Sequence, residues 1–480
     1  MPHRPILLRL LLAPLLLLGA ATATAQSVPS TLNTATTLGF ERVRFGSGER
    51  LGLVGGSLLF EGGRNWWFGP AVYGAASGQR GGFFVGGLEV QQRIRLGPRS
   101  GVVLGLYAGG GGGGSSPVGG GLMLRPAVTL VQDLGGLQAG LSLSQVRFPS
   151  GDIRSNQLGL VLGWDGSFRA TDPARAGRAP GLYGRTGLGM DHLLITAGRY
   201  APRGGGASIG LIGARALRSV GDWHLGIESA AAAQGSAAGY MEILAEAGTG
   251  WPVTPRLNLG VRGALGLGGG GAVPVGGGVL AKLAVGGAYQ LSPHLHLGAE
   301  LGLVDALNGS FRAGTAQLWL AMALEPMSGD GRVVRYEWAP ALQHNLRAQR
   351  KDGSRGTLDT IGLRLNRWVD GHWYLSAQAH SAYAGGAGAY SIGLVGAGVG
   401  TAPVAQGWQF GAELLVGAAG GGGVNTAGGA IVQGLGWAGY ALSPDTMLRL
   451  GLGGVKSLKG DLSSPVLEVS WQRAFGLNGP

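Results

Sequence analysis

The sequence predicts an all-β fold, a transmembrane antiparallel β-barrel of about 20–24 strands from three internal repeats of about eight strands each. Three observations point to it. Apolar and polar residues alternate with strict period two over runs of nine to twelve residues. Turn-forming clusters break these runs at short intervals. The pattern recurs about every 155 residues.

Composition excludes competing classes. Gly is 99 of 480 residues, against roughly 7% in average proteins. No Gly-x-y period runs through the chain, so it is not a collagen. Hydrophobic residues are 45% and charged residues only 13%, which is not the balance of a disordered chain. Cys is absent, so this is not a disulfide scaffold. Beyond the leader, no 18-residue apolar stretch escapes interruption by Gly or charge, which argues against membrane helices.

Residues 1–25 read as a signal peptide. Arg4 and Arg9 supply the basic segment, Leu10 to Leu18 the apolar segment, and Ala23-Thr24-Ala25 the small-residue cleavage site. Cleavage leaves about 455 residues and removes two of the 33 Arg, lowering the formal net charge from +12 to +10.

Residues 26–165 form the first repeat. There Leu137, Ala139, Leu141 and Leu143 alternate with Gln138, Gly140, Ser142 and Ser144, between turn signals at 76–81 and 149–152. Residues 166–184 are a linker. Residues 185–324 form the second repeat. In it Leu257, Leu259, Val261, Leu265 and Leu267 oppose Asn258, Gly260, Arg262, Ala264 and Gly266. A short connection, 325–332, leads to the third repeat, 333–475, and a C-terminal tail, 476–480. Runs this long suit membrane-crossing strands of roughly 9–11 residues better than soluble strands of about 5–6. The short turns make neighbouring strands antiparallel.

The clearest repeat marker is a Gly-rich hairpin at 111–121, 268–278 and 420–430, offset by 157 and 152 residues. A second marker places Gly140, Gly298 and Gly451 in register. The hairpins suit close backbone packing against each other or another chain, or flexible loop tips.

A leader, long two-period strands, short turns and no Cys together resemble bacterial outer-membrane β-barrel proteins, at the level of architecture and over the whole mature chain. The resemblance implies aromatic girdles at the membrane interfaces, and Trp66, Trp164, Trp251, Trp373 and Trp408 are among the candidates. It also implies a C-terminal assembly signal, here carried by Trp471 and Phe475, although Arg473 and five residues after Phe475 depart from that pattern. Implied partners are outer-membrane lipid and lipopolysaccharide, the barrel-assembly machinery and an envelope export partner. Nucleic acid is not among them.

Lumen-facing candidates follow from alternation: Glu89, Arg93, Arg95, Glu242, Glu246, Asn258, Arg262, His294, His296, Glu300, Gln409 and Glu413. Many inward positions are Gly, such as Gly298 and Gly411, which favours one wide barrel over three small ones. A metal site on His294, His296 and Glu300 is not reproduced in the other repeats, so a polar wall is the simpler reading. No nucleophile–base–orienter set occurs, so no enzyme is expected; no cofactor or metal is expected either. Arg347, Arg350, Lys351 and Arg355 form a basic loop suited to phosphate or carboxylate.

The expected function is a passive pore or export conduit for an anionic solute or polysaccharide. The alternatives are a non-conducting structural or surface-interaction barrel using its Gly-rich hairpins, and a secreted Gly-rich β-scaffold.

Overall fold

The computed structural model describes residues 30–180, 184–324 and 331–480. The leader lies outside them. The first eight strands are β1 (Ser30–Arg44), β2 (Arg50–Gly63), β3 (Trp66–Ser77), β4 (Phe84–Arg95), β5 (Ser100–Gly112), β6 (Met123–Asp133), β7 (Leu137–Arg147) and β8 (Arg154–Ala170). The second eight are β9 (His192–Pro202), β10 (Ile209–Val220), β11 (Trp223–Gln234), β12 (Met241–Thr254), β13 (Leu257–Gly269), β14 (Val279–Ser292), β15 (Leu295–Ala306) and β16 (Arg312–Ala323). The third eight are β17 (Arg332–Gln349), β18 (Arg355–Trp368), β19 (Trp373–Ala384), β20 (Ser391–Gly400), β21 (Gly407–Gly420), β22 (Ala430–Ser443), β23 (Thr446–Ser457) and β24 (Ser463–Gly479).

Each set of eight closes on itself. β1 pairs with β8, β9 with β16, and β17 with β24, all antiparallel. The all-β fold of three eight-stranded repeats is therefore present, as three barrels. The single wide barrel is not. Inward glycines suggested an empty lumen, but several make room for a large ring on an adjacent strand. Trp319 occupies the space a Cβ on Gly298 would need, Trp437 that of Gly411, and Tyr374 that of Gly398. An eight-stranded barrel is just wide enough to be filled in this way.

Outward residues are aliphatic. Leu141, Leu158, Leu265, Leu301, Leu414 and Leu452 are all exposed, Leu158 to 75%. Alternation with a polar interior is the pattern of a barrel surrounded by hydrocarbon, where every backbone group must pair between strands.

The two ends differ. At one end the strands join through two- to six-residue turns such as 64–65, 221–222 and 401–406. The other end carries the longer loops, among them the Gly-rich hairpins 113–122, 270–278 and 421–429. Exposed Trp66, Trp164, Trp223, Trp251, Trp373 and Trp408 lie at or near the turn end. They form one belt. At the loop end Phe83, Tyr240 and Tyr390 are buried.

Closing hydrogen bonds fix the correspondence between repeats. Gly111 N–H donates to Gly121 O, Gly268 to Gly278, and Ala419 to Gly429. The third hairpin is thus 419–429, one residue earlier than its Gly run suggested, because a poly-Gly run reads the same after a one-residue shift. Likewise Phe148 N–H bonds Ile153 O, Ala306 bonds Phe311, and Ser457 bonds Leu462. Counting back, Gly140 and Gly298 correspond to Arg449, and not to Gly451. Any even slip preserves a period-two pattern, so alternation alone does not detect it.

Two boundaries also move. β8 runs to Ala170, five residues into the expected linker, before a 3-10 turn at Pro173–Arg175. The expected tail continues β24, with Gly476 to Gly479 paired to Arg335 to Arg332. The first linker is held there by hydrogen bonds between Thr171 and Gly476 in both directions, each 2.9 Å.

Candidate functional site

Each lumen has a stack of layers. Nearest the loop end is an apolar plug. In the first barrel it gathers Val43, Leu53, Phe83, Met123, Phe148 and, from the Gly-rich hairpin, Val118. In the second, Val275 of the hairpin joins Tyr240, Leu280 and Phe311. In the third, Val424 joins Tyr390, Leu358 and Leu462. Each hairpin therefore folds over its own barrel and inserts a valine as a stopper.

Beneath the plug lie buried charges. In the first barrel, Arg125 grips Glu41 through Nε and Nη2, both at 2.9 Å, while Gln91 donates to Glu89 at 2.7 Å. In the second, three cations meet four carboxylates. Arg262 reaches Glu228 (2.8 Å), Glu246 (3.0 Å) and Glu300. Arg215 reaches Glu246 (3.0 Å) and Glu300 (3.3 Å), and Lys282 reaches Glu228 and Glu242, both at 2.8 Å. In the third, Arg364 pairs with Glu413 (2.7 Å) and Glu468, and Arg449 with Glu413 (3.0 Å). Charge taken out of water persists only where it is paired and hydrogen-bonded. The layer therefore acts as a rigid filling.

Of the expected lumen residues, Glu89, Glu242, Glu246, Arg262, Glu300, Gln409 and Glu413 are buried inside the barrels. Arg93 is half-buried at the turn end, 3.3 Å from Asp165 and stacked over Trp67. Arg95 and Asn258 are exposed at strand ends, and His294 sits in the turn before β15. His294 therefore does not share the strand face of Glu300. His296 does, and lies near His192, with ring centroids 6.1 Å apart. Among the described residues no group of three or more His, Asp or Glu is placed to hold a metal ion.

Sequence reasoning missed Glu41, Arg125, Arg215, Lys282, Arg364, Arg449 and Glu468 as lumen residues. A usable signal was present. In a strand whose other face is aliphatic, a charged residue must point inward.

The loop end answers the question posed by the Gly-rich hairpins. Each packs on the hairpin between the third and fourth strands of a neighbouring barrel. Gly81 N–H, between β3 and β4, donates to Gly276 O (2.8 Å), and Asn308 Nδ2 donates to Ala76 O (2.9 Å). Gly388 N–H, between β19 and β20, donates to Gly119 O (3.1 Å). At the third junction, a Cβ on Gly429 would fall on the carbonyl oxygen of Ala232, near the end of β11, and one on Gly239, between β11 and β12, would meet Gly421 N. Barrel two thus docks on one, one on three, and three on two. Three head-to-tail contacts of one kind close a ring, as in a cyclic trimer, here within one chain.

A clamp supports the first hairpin. Arg80 binds Glu49 (Nε–Oε1 2.9 Å, Nη2–Oε2 2.6 Å) and donates to the carbonyls of Gly114 and Ser115 at 3.0 and 2.7 Å. The Arg80 hydrogen bonds hold the Glu49 carboxyl below the ordinary range. A depressed carboxyl pKa stabilises the clamp above the unfolded value of about 4.3 and loses that stability as pH falls through the folded value. Limited proteolysis of residues 113–122 should therefore accelerate only below about pH 4. Glu49→Gln should abolish that step; an unchanged step in the variant would assign it to another group.

The basic loop lies at the same end. Arg350 is engaged internally, donating to Gly385 O at 2.8 Å. Arg347, Lys351 and Arg355 are exposed. Lys351 joins Arg199 and Lys459 around a cleft of about 950 Å3 between the second and third barrels.

No family model matches the chain, and no curated protein matches it. Solved structures similar in architecture are bacterial outer-membrane β-barrel proteins. They include Acinetobacter baumannii OccAB3, 11% identical over 93% of this chain and 99% of that one, with TM-score 0.22. The FrpB iron transporter of Neisseria meningitidis is 8% identical over 94% and 82%, with TM-score 0.28. A NanC porin is 10% identical over 60% and 98%, with TM-score 0.15. Similarity this low transfers no activity, substrate or partner to this chain.

Proposed function

We propose that the chain is an integral protein of the bacterial outer membrane, a single-chain pseudo-trimer that serves as a non-conducting scaffold. The observation that carries this reading is the filling of all three lumens by plug and ion-pair layers. Within the first lumen, the space among Glu41, Glu89 and Arg125 is about 40 Å3. The aliphatic outer surface and the Trp belt support a membrane setting. Short turns are periplasmic in such barrels and longer loops face outward, so the Gly-rich ring is placed at the cell surface. There Arg199, Lys351 and Lys459 offer cations to lipopolysaccharide phosphates. Trp471 and Phe475 on the last strand would address it to the barrel-assembly machinery.

A conduit for an anionic solute or polysaccharide requires an open lumen, which the buried Arg–Glu layers would have to vacate. Planar-bilayer recording of the refolded protein separates the two readings, after density-gradient fractionation has placed it in the outer membrane. The scaffold reading expects no stable single-channel steps. Reproducible nanosiemens-scale steps would overturn it and restore the conduit.

A further inference from the structure

The three barrels touch through their loops at one end and through β8, β24 and the first linker at the other. Between these contacts they stand apart around a central cavity of about 1960 Å3. That is roughly twice the upper end of ordinary small-molecule pockets, about 1,000 Å3. Its walls are the outward faces of the barrels. Leu58 and Phe68 come from the first, Ile195 and Leu318 from the second, and Leu365 and Val416 from the third. Ile195, Leu318, Leu365 and Val416 are all exposed to this space.

Toward the loop end the lining stops at Ala230, Gly393 and Ala418, just short of the Gly ring. The turn end is narrowed by Phe475, edge-on to Phe168 at 5.2 Å and stacked on Tyr336 at 6.0 Å. Charged groups of the lining gather mainly at this lower rim. There they are Glu61, Asp172 and the ion pair Arg473–Asp445 at 2.8 Å, while Arg364, the remaining one, turns into its own lumen to meet Glu413 and Glu468. The space is therefore apolar through its depth and polar at one mouth.

We infer that this cavity is a binding site for the acyl chains of a membrane phospholipid, whose headgroup sits at the turn-end rim. The inference rests on the membrane reading above. Water does not suit the space, because each buried water needs two to four polar partners. An empty space would forfeit the dispersion contacts of every wall residue. The walls continue the same outward faces that meet hydrocarbon elsewhere on the barrels, so the hydrocarbon of the bilayer is the occupant they match. The polar rim matches the amphiphile's other end. A lipid held there would act as the core of the pseudo-trimer, joining three barrels that otherwise meet only at their ends.

The test uses the full chain, extracted from its membrane and exchanged exhaustively into a mild detergent. Native mass spectrometry and lipid extraction should find phospholipid at fixed stoichiometry. Ala197 and Ala377 line the cavity, and Ala197→Trp with Ala377→Trp should narrow it and displace most of the bound lipid. Leu141→Trp, on an outward face that does not line the cavity, should retain it. Heat-modifiable gel mobility confirms that each variant is folded; if the pair misfolds, either substitution alone should reduce the lipid count several-fold. Lipid-free parent protein, or an unchanged count in the Trp variants at Ala197 and Ala377, would overturn the inference while leaving the membrane reading intact. A chain that fractionates as soluble without detergent would instead overturn the membrane reading.

Discussion

Arg262→Met should destabilise the second barrel by about 3–5 kcal/mol, the usual cost of removing one partner from a buried ion pair. Arg262 contacts three of the four carboxylates in its layer, Glu228, Glu246 and Glu300. Without it, Arg215 and Lys282 face all four. The measurement is urea unfolding of the barrel in lipid vesicles, followed by gel mobility. Arg262→Lys should fall between, since it keeps the charge and loses the planar fork. Adding Glu300→Gln to Arg262→Met should recover part of the loss, because the two sites are directly coupled. A cost under about 1 kcal/mol would show that the layer is hydrated like a surface pair, and would weaken the sealed-lumen reading with it.

Gly82→Val should open the ring between the first and second barrels. Gly82 has φ +86°, which a β-branched residue resists, and its Cβ would come within 2.7 Å of Gly270 Cα in the second barrel. Backbone against backbone leaves nothing flexible to move aside. The chain has no Cys, so an engineered pair has no background. Ala76→Cys with Asn308→Cys, at positions that share a hydrogen bond across the junction, should crosslink in the parent. With Gly82→Val added, crosslinking should drop at least about tenfold, which corresponds to about 1.4 kcal/mol. Each barrel should still show its own heat-modifiable mobility. Retained crosslinking would mean that the junction does not depend on the close approach of these glycines.

The two variants probe features of different legibility. Arg262 was expected on an inward face because Leu259, Val261 and Leu265 mark the opposite face of its strand. Its partners were only partly legible. Glu246 and Glu300 had the right parity, but Arg215 and Lys282 were not picked out, and no pattern along one strand says which charge it meets across a barrel. The Gly hairpins were legible as repeat markers and as sites of close approach. Their partner, the third hairpin of the neighbouring barrel, was not, because the contact joins segments such as Gly81 and Gly276 that share no local signal.

The inward glycines misled for a physical reason. Gly298 and Gly411 look like empty wall when read along their own strands. The rings of Trp319 and Trp437 that fill them come from the adjacent strand, so side-chain volume is balanced across strands and not along one. The third-repeat register failed similarly. Arg449 is the counterpart of Gly140, and a two-residue slip to Gly451 leaves every residue on its correct face.

What the sequence by itself determined is what depends on neighbours along the chain: the β class, about 20–24 strands in three repeats of about eight, and which face of each strand is aliphatic. These follow from alternation and turn chemistry, which act over a few residues. What only the tertiary structure decided is where each sheet closes, which charges meet inside it, and how three barrels form a ring around a shared apolar space. Closure is set by edge strands such as β1 and β8, whose pairing joins Ser30 to Ala170. The ion-pair layers join different strands across a lumen and the ring joins different barrels, and periodicity along one strand carries no information about either.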